Sequence, residues 1–197
     1  QPRGRRFSAD VILTDYRIAD GVAEENGLPI GEHPEYLSEA DKRAELMLAL
    51  RPALQLFGKH PLVTLNLMNE PDFIAMSAAE ARVRMESGMW AGVTLSPALK
   101  GQLTQLGFRD VEDPLRALAS LEGRTELRVQ RDRVTGVVTL SPTSLTREQV
   151  ETFLLDLWTA TRTVTPEARI TIGWADDRSA LGNTPRLEQR AQTVVTN

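Results

Sequence analysis

Two short apolar runs, separated by one amphipathic stretch, constrain this chain more than any other feature. Residues 9–16 carry Val11, Ile12 and Leu13 without a polar interruption, and residues 62–68 hold Leu62, Val63, Leu65, Leu67 and Met68. Runs of this length and composition suit strands buried on both faces, as in a parallel sheet. Between them Leu46, Leu50, Leu54 and Phe57 recur at helical spacing until Gly58 and Pro61 break the pattern. Ser38, with Asp41 three residues later, predicts a capping box at the start of a helix of about five turns.

A third strand is predicted over 169–174, where Ile170, Ile172 and Trp174 alternate. Ahead of it, Thr146 and Gln149 form a second capping-box pattern, and Val150, Phe153, Leu154, Leu157 and Trp158 make one apolar stripe closed by Pro166. Strand, helix, strand, interruption, helix, strand is the grammar of parallel βαβ units, so the fold class is α/β. Residues 17–37 contain Gly21, Gly27, Pro29, Gly31 and Pro34 and many charges, which predicts a long excursion rather than a regular element. The interruption over 75–142 includes a hairpin pattern, 125–130 against 136–140, and is expected to be an inserted subdomain. The division is therefore 1–74, 75–145 and 146–197, with no repeat of fixed period.

Composition narrows the classes of partner. Lys plus Arg number 23 against 27 for Asp plus Glu, a net charge of -4 that argues against a broadly basic nucleic-acid footprint. No stretch approaches the roughly 20 apolar residues of a membrane span. The absence of cysteine removes disulfides, zinc-thiolate sites and thiol nucleophiles together. His33 and His60 are the two histidines, and neither lies at metal-ligand spacing from acids or from the other, so neither a metal nor a cofactor is expected. The arginines of Gln1-Pro2-Arg3-Gly4-Arg5-Arg6 read as a solvated segment rather than a nucleic-acid or lipid arm.

The chemistry concentrates in Val63-Thr64-Leu65-Asn66-Leu67-Met68-Asn69-Glu70-Pro71. In an extended chain, alternation sets Val63, Leu65 and Leu67 on one face and Thr64, Asn66, Met68 and Glu70 on the other. A strand ending in Leu-Met-Asn-Glu-Pro resembles the fourth strand of the clan A glycoside hydrolases, particularly the cellulase-like family 5, and Ile170-Thr171-Ile172-Gly173-Trp174 is similar to the clan's fifth strand. The resemblance covers residues 9–74 and 146–197. It implies a (β/α)8 barrel represented by about its third to sixth strands, with 193–196 opening the sixth.

The resemblance further implies a retaining hydrolase of β-linked oligo- or polysaccharides, with Glu70 as general acid/base and Asn69 on the sugar 2-hydroxyl. An acid at the C-terminal rim of such a barrel stands where the fold places its active sites. Proton donation to a departing glycosidic oxygen is the chemistry that this carboxyl group would supply. Trp174, Asp15, Tyr16 and His33 complete the expected substrate-binding set. Each also has a plainer reading: Trp174 as a buried aromatic, Asp15 and Tyr16 as a strand boundary with a surface hydroxyl, His33 as a solvated loop residue, and Asn69-Glu70-Pro71 as an ordinary turn. Trp90, with Met85 and Met89, reads as insert core or as an exposed contact patch.

The clan's nucleophile is a Glu on the seventh strand, which this chain does not reach, and Asp176 and Asp177 match it poorly. A partner is therefore expected, either the remainder of the barrel or a second chain, and the chain is expected to be a piece of a larger hydrolase. A secreted or periplasmic setting follows from the resemblance alone. The competing function is a non-catalytic carbohydrate-binding or scaffold protein that keeps the rim and lacks the second acid.

Overall fold

The computed structural model describes residues 9–16, 27–121, 123–132 and 134–173. In chain order the elements are β1 (Ala9–Asp15), β2 (Leu28–Pro29), α1 (Glu35–Ser38), α2 (Ala40–Phe57), β3 (Val63–Asn69), β4 (Met76–Ser77), α3 (Ala78–Glu86), β5 (Gly92–Leu95), α4 (Pro97–Gln105), α5 (Pro114–Leu121), β6 (Glu126–Arg131), β7 (Val137–Pro142), α6 (Arg147–Val164) and β8 (Arg169–Gly173). The chain parts into two compact units, Asp72–Arg147 and the flanking Gln1–Pro71 with Glu148–Asn197.

The flanking unit is built on a parallel sheet of order β2-β1-β3-β8. Its long strands follow one another in chain order, so right-handed crossovers set α2 and α6 on the same face. The two helices adjoin: Arg43 pairs with Asp156 at 2.9 Å, and the Thr165 hydroxyl donates to the Leu54 carbonyl at 3.2 Å. The stripe expected on α6 is buried throughout, and Leu13, Leu46, Leu54, Leu65, Leu67 and Ile172 complete this core. Arg162 lies over the Trp158 ring at 5.3 Å, so the indole is capped by a cation at the helix end. The fold class is thus α/β with a parallel sheet.

Two local expectations are corrected. Helix α2 starts after Glu39, with no side-chain cap; Ser38 ends α1 instead and donates its hydroxyl to the Pro34 carbonyl at 3.1 Å. Pro34 starts an earlier short turn of helix that consumes the serine, so the expected box does not form. In the described part of the excursion, 27–37, regular structure is present: β2, a 3-10 turn over Ile30–Glu32, and α1. Gly27 makes this possible, because its φ is +76° and a Cβ there would stand 2.9 Å from the backbone of Ile12, Leu13 and Thr14.

The other unit has a sheet of order β4-β6-β7-β5, in which β6 and β7 form an antiparallel hairpin and β5 runs parallel to β7. Alternation buries Leu127, Val129, Val138 and Leu140 on one face. Asp132 closes the hairpin turn by accepting from the Val134 and Thr135 N–H groups and the Thr135 hydroxyl. Helix α3 carries a complete capping box between Ser77 and Glu80. Trp90 is buried, as core, whereas Met89 is exposed. A buried ion pair joins Asp72 to Arg84, and both Arg84 and Arg131 stack over Phe73, with guanidinium carbons 5.7 and 5.0 Å from the ring centre.

Candidate active site

The carboxyl-terminal ends of β1, β3 and β8 bring Asp15, Asn69 and Gly173 into adjacent register. Asp15 faces Asn69 across the ladder, and Asn69 faces Gly173 on the other side. The last rungs run through this point. Tyr16 N–H donates to the Asn69 carbonyl at 3.3 Å, and Glu70 N–H donates to the Gly173 carbonyl. The peptide group that links Asn69 to Glu70 is thereby tied to both neighbouring strands, through its C=O on one side and its N–H on the other.

Between Asn66 and Asn69 the register of β3 against β8 shifts by a bulge, while its register against β1 stays regular. A bulge re-aims side chains, and here it has a specific effect. Strict alternation sends Asn66 and Asn69 to opposite faces, yet both amides converge on Gly173: a Cβ there would lie 2.7 Å from Asn66 Nδ2 and 2.9 Å from Asn69 Oδ1. The alternation read from the sequence, which separates these two amides, therefore fails at the strand end. The Leu67 carbonyl, inside the shift, accepts from the buried Thr14 hydroxyl at 2.6 Å, and Gly173 N–H donates to Asn66 Oδ1 at 3.1 Å.

Glu70 follows at φ +50°, the only described non-glycine residue in the left-handed region. Backbone of that kind costs energy and persists where the surroundings over-determine it; such strain clusters at functional sites. The Glu70 side chain is half-buried, and Pro71 opens a 3-10 turn that carries the chain off the strand.

Asp15 is 2% exposed and Tyr16 4% exposed, which removes the surface-hydroxyl reading of Tyr16. Asn69 Nδ2 donates to Asp15 Oδ2 at 3.4 Å. His33 sits beyond β2, the strand on the far side of β1 from β3, and its ring is engaged locally. Its Nδ1 is 3.1 Å from Glu35 Oε1, and its ring centre is 5.3 Å from that of Tyr36. The first-turn backbone N–H of α1 and the His33 imidazole hold the Glu35 carboxyl below its ordinary pKa. His60 accepts the Leu62 N–H at 3.2 Å, a turn contact. Trp174, Asp176, Asp177 and 193–196 lie outside the described residues.

The structure thus brings Asp15, Tyr16, Asn69 and Glu70 together and leaves His33 in a separate local cluster. Asn66, Gly173 and Thr14 belong to the same strand-end cluster and were not singled out in the sequence. Asn66 had a signal, an amide between two leucines in an apolar strand. Gly173 had one too, since a glycine in a strand marks close backbone approach. Among the described residues no group of three His, Asp or Glu side chains could hold a metal ion, and no helix is long and apolar enough to cross a membrane. Comparison with protein-family models, with curated proteins and with solved structures finds no match to this chain.

Proposed function

We propose that this chain carries the acid/base part of a retaining glycoside hydrolase acting on β-linked oligo- or polysaccharides, within a (β/α)8-type barrel. The observation that carries the reading is the placement of Asn69 and Glu70 at the carboxyl-terminal end of a parallel strand, with Glu70 turned off the ladder at φ +50°. Parallel α/β sheets bind ligands beyond the carboxyl ends of their strands. The long strands β1, β3 and β8 adjoin in chain order, as consecutive strands of a barrel do, while the two-residue β2 pairs on the outer side of β1. A neutral sugar substrate agrees with a net charge of -4.

In the first step Glu70, protonated, gives its proton to the departing glycosidic oxygen while a second carboxylate attacks the anomeric carbon and forms a glycosyl ester. In the second step the Glu70 carboxylate takes a proton from water, whose oxygen displaces the ester. The second carboxylate would stand about 5–5.5 Å from the first. The resemblance assigns it to a later barrel strand, supplied by the remainder of the barrel or by a partner chain. Asn69, whose following peptide group is held by both neighbouring strands, offers an amide to a sugar hydroxyl.

The test is hydrolysis of chromogenic β-glucosides, β-mannosides and β-linked polysaccharides by wild type and Glu70→Gln. Loss of a general acid is expected to lower the rate by roughly 10²- to 10⁴-fold. Tight oligosaccharide binding by the full assembly, with both forms equally inert, would refute catalysis and leave a binding protein.

A further inference from the structure

The geometry points to Asp15 and Gly173 as positioning residues that clamp the Asn69 carboxamide into one orientation beside Glu70. For its catalytic consequence the inference rests on the hydrolase reading above; its geometry does not. At 2% exposure Asp15 is almost wholly withdrawn from solvent, so its carboxylate is not placed to meet a substrate directly. A carboxylate withdrawn from water requires polar partners, and the Asn69 side chain is one, through Nδ2 at 3.4 Å.

The identity of the partner decides what the contact does. A carboxamide presents an NH2 group at one end and an oxygen at the other, and a half-turn about its last torsion exchanges them. An ionised carboxylate only accepts, so Asp15 admits the NH2 end and rejects the oxygen. The oxygen end then lies toward β8, where residue 173 has no side chain. A Cβ on that residue would sit 2.9 Å from Asn69 Oδ1 and 2.7 Å from Asn66 Nδ2, too close for either amide to stay. The main chain completes the clamp, with the Asn69 carbonyl held by Tyr16 N–H and Glu70 N–H held by the Gly173 carbonyl. With one N–H directed to Asp15, the second N–H of Asn69 is left as a fixed donor. Its natural ligand is an acceptor oxygen such as a sugar hydroxyl, next to the residue that moves the proton.

Two readouts test this on the full chain. In amide NMR spectra, with the Asn69 side-chain pair assigned through its loss in Asn69→Ala, Asp15→Ala and Gly173→Ala are each expected to shift that pair. In kinetics, Asp15→Ala is expected to lower kcat/KM for a β-glycoside by roughly tenfold, the size of coupling common between residues in contact. Asp15→Asn, which accepts but no longer rejects the oxygen end, is expected to recover part of the loss. In an Asn69→Ala background the same Asp15 change is expected to cost less than about twofold, because the group it positions is gone. Where Asp15→Ala does not fold, Asp15→Asn and Gly173→Ala carry both tests. Fully additive losses, or an unmoved Asn69 amide pair, overturn the clamp. If the assembly that carries both carboxylates cleaves no β-glycoside, the hydrolase reading falls and the amide spectra alone decide the clamp.

Discussion

Substituting Gly173 by Ala perturbs the strand-end cluster at its tightest point. The added methyl would stand 2.7 Å from Asn66 Nδ2 and 2.9 Å from Asn69 Oδ1, whereas comfortable non-bonded contacts begin near about 3.5 Å. Neither amide retreats freely, since Asn66 Oδ1 accepts Gly173 N–H at 3.1 Å and Asn69 Nδ2 reaches Asp15. Overpacking of this kind costs about 1–3 kcal/mol, and a strained or lost hydrogen bond adds about 1 kcal/mol. Removing a glycine from the unfolded chain offsets about 0.4–1 kcal/mol, leaving a net loss of about 2 kcal/mol. In thermal unfolding of the flanking unit that loss is roughly 8 °C in Tm, at an unfolding entropy of about 2.1 cal/mol/K per residue. Gly101→Ala is the matched control: it sits inside α4 with nothing within 4 Å of an added Cβ. It is expected to stabilise its own unit by up to about 1 kcal/mol. Equal effects of the two substitutions, or a Gly173→Ala protein as stable as wild type, would refute the close-packing argument.

In the Asp72–Arg147 unit, Arg84→Met leaves the Asp72 carboxylate buried without its guanidinium, and a loss of about 3–5 kcal/mol is expected in urea denaturation. Adding Asp72→Asn is expected to restore much of it; no recovery would show that Arg84 acts mainly through Phe73. Burial raises the Glu80 carboxyl pKa, but the Arg147 guanidinium at 2.8 Å and the Ser77 hydroxyl and N–H outweigh it and hold it below 4.5. A carboxyl whose folded pKa is depressed stabilises fully above its unfolded value and loses that contribution as pH falls through the folded one. Stability measured downward from about pH 6 is therefore expected to decline less steeply in Glu80→Gln, and superimposable profiles would contradict it.

The strands and helices of the flanking unit were legible because their hydrophobic periods are long and uninterrupted, as in Val11-Ile12-Leu13 and in the α6 stripe ending at Trp158. The hairpin of β6 and β7 was legible for the same reason, with Gly136 and Asp132 at its turn. What escaped was set by contacts distant in sequence. Ser38 carried a capping signal, but Pro34 began a helical turn first and took its hydroxyl. Residues 27–37 looked irregular because their order comes from Gly27 lying against β1. At the candidate site the Asn69–Glu70 pair was legible as a motif, whereas the bulge that turns Asn69 toward Gly173 was not. A register shift depends on which strand pairs with which, and the local pattern holds no trace of that.

Proton donation by Glu70 is tested most directly by varying how much the leaving group needs the proton. In Glu70→Ala, hydrolysis of an alkyl β-glycoside should fall by roughly 10²- to 10⁴-fold, because an alkoxide cannot depart unprotonated. Release of dinitrophenolate from the matching dinitrophenyl β-glycoside, read as a rapid burst, should remain near the wild-type rate, because that anion leaves unaided. Equal losses on both substrates would contradict the acid role of Glu70.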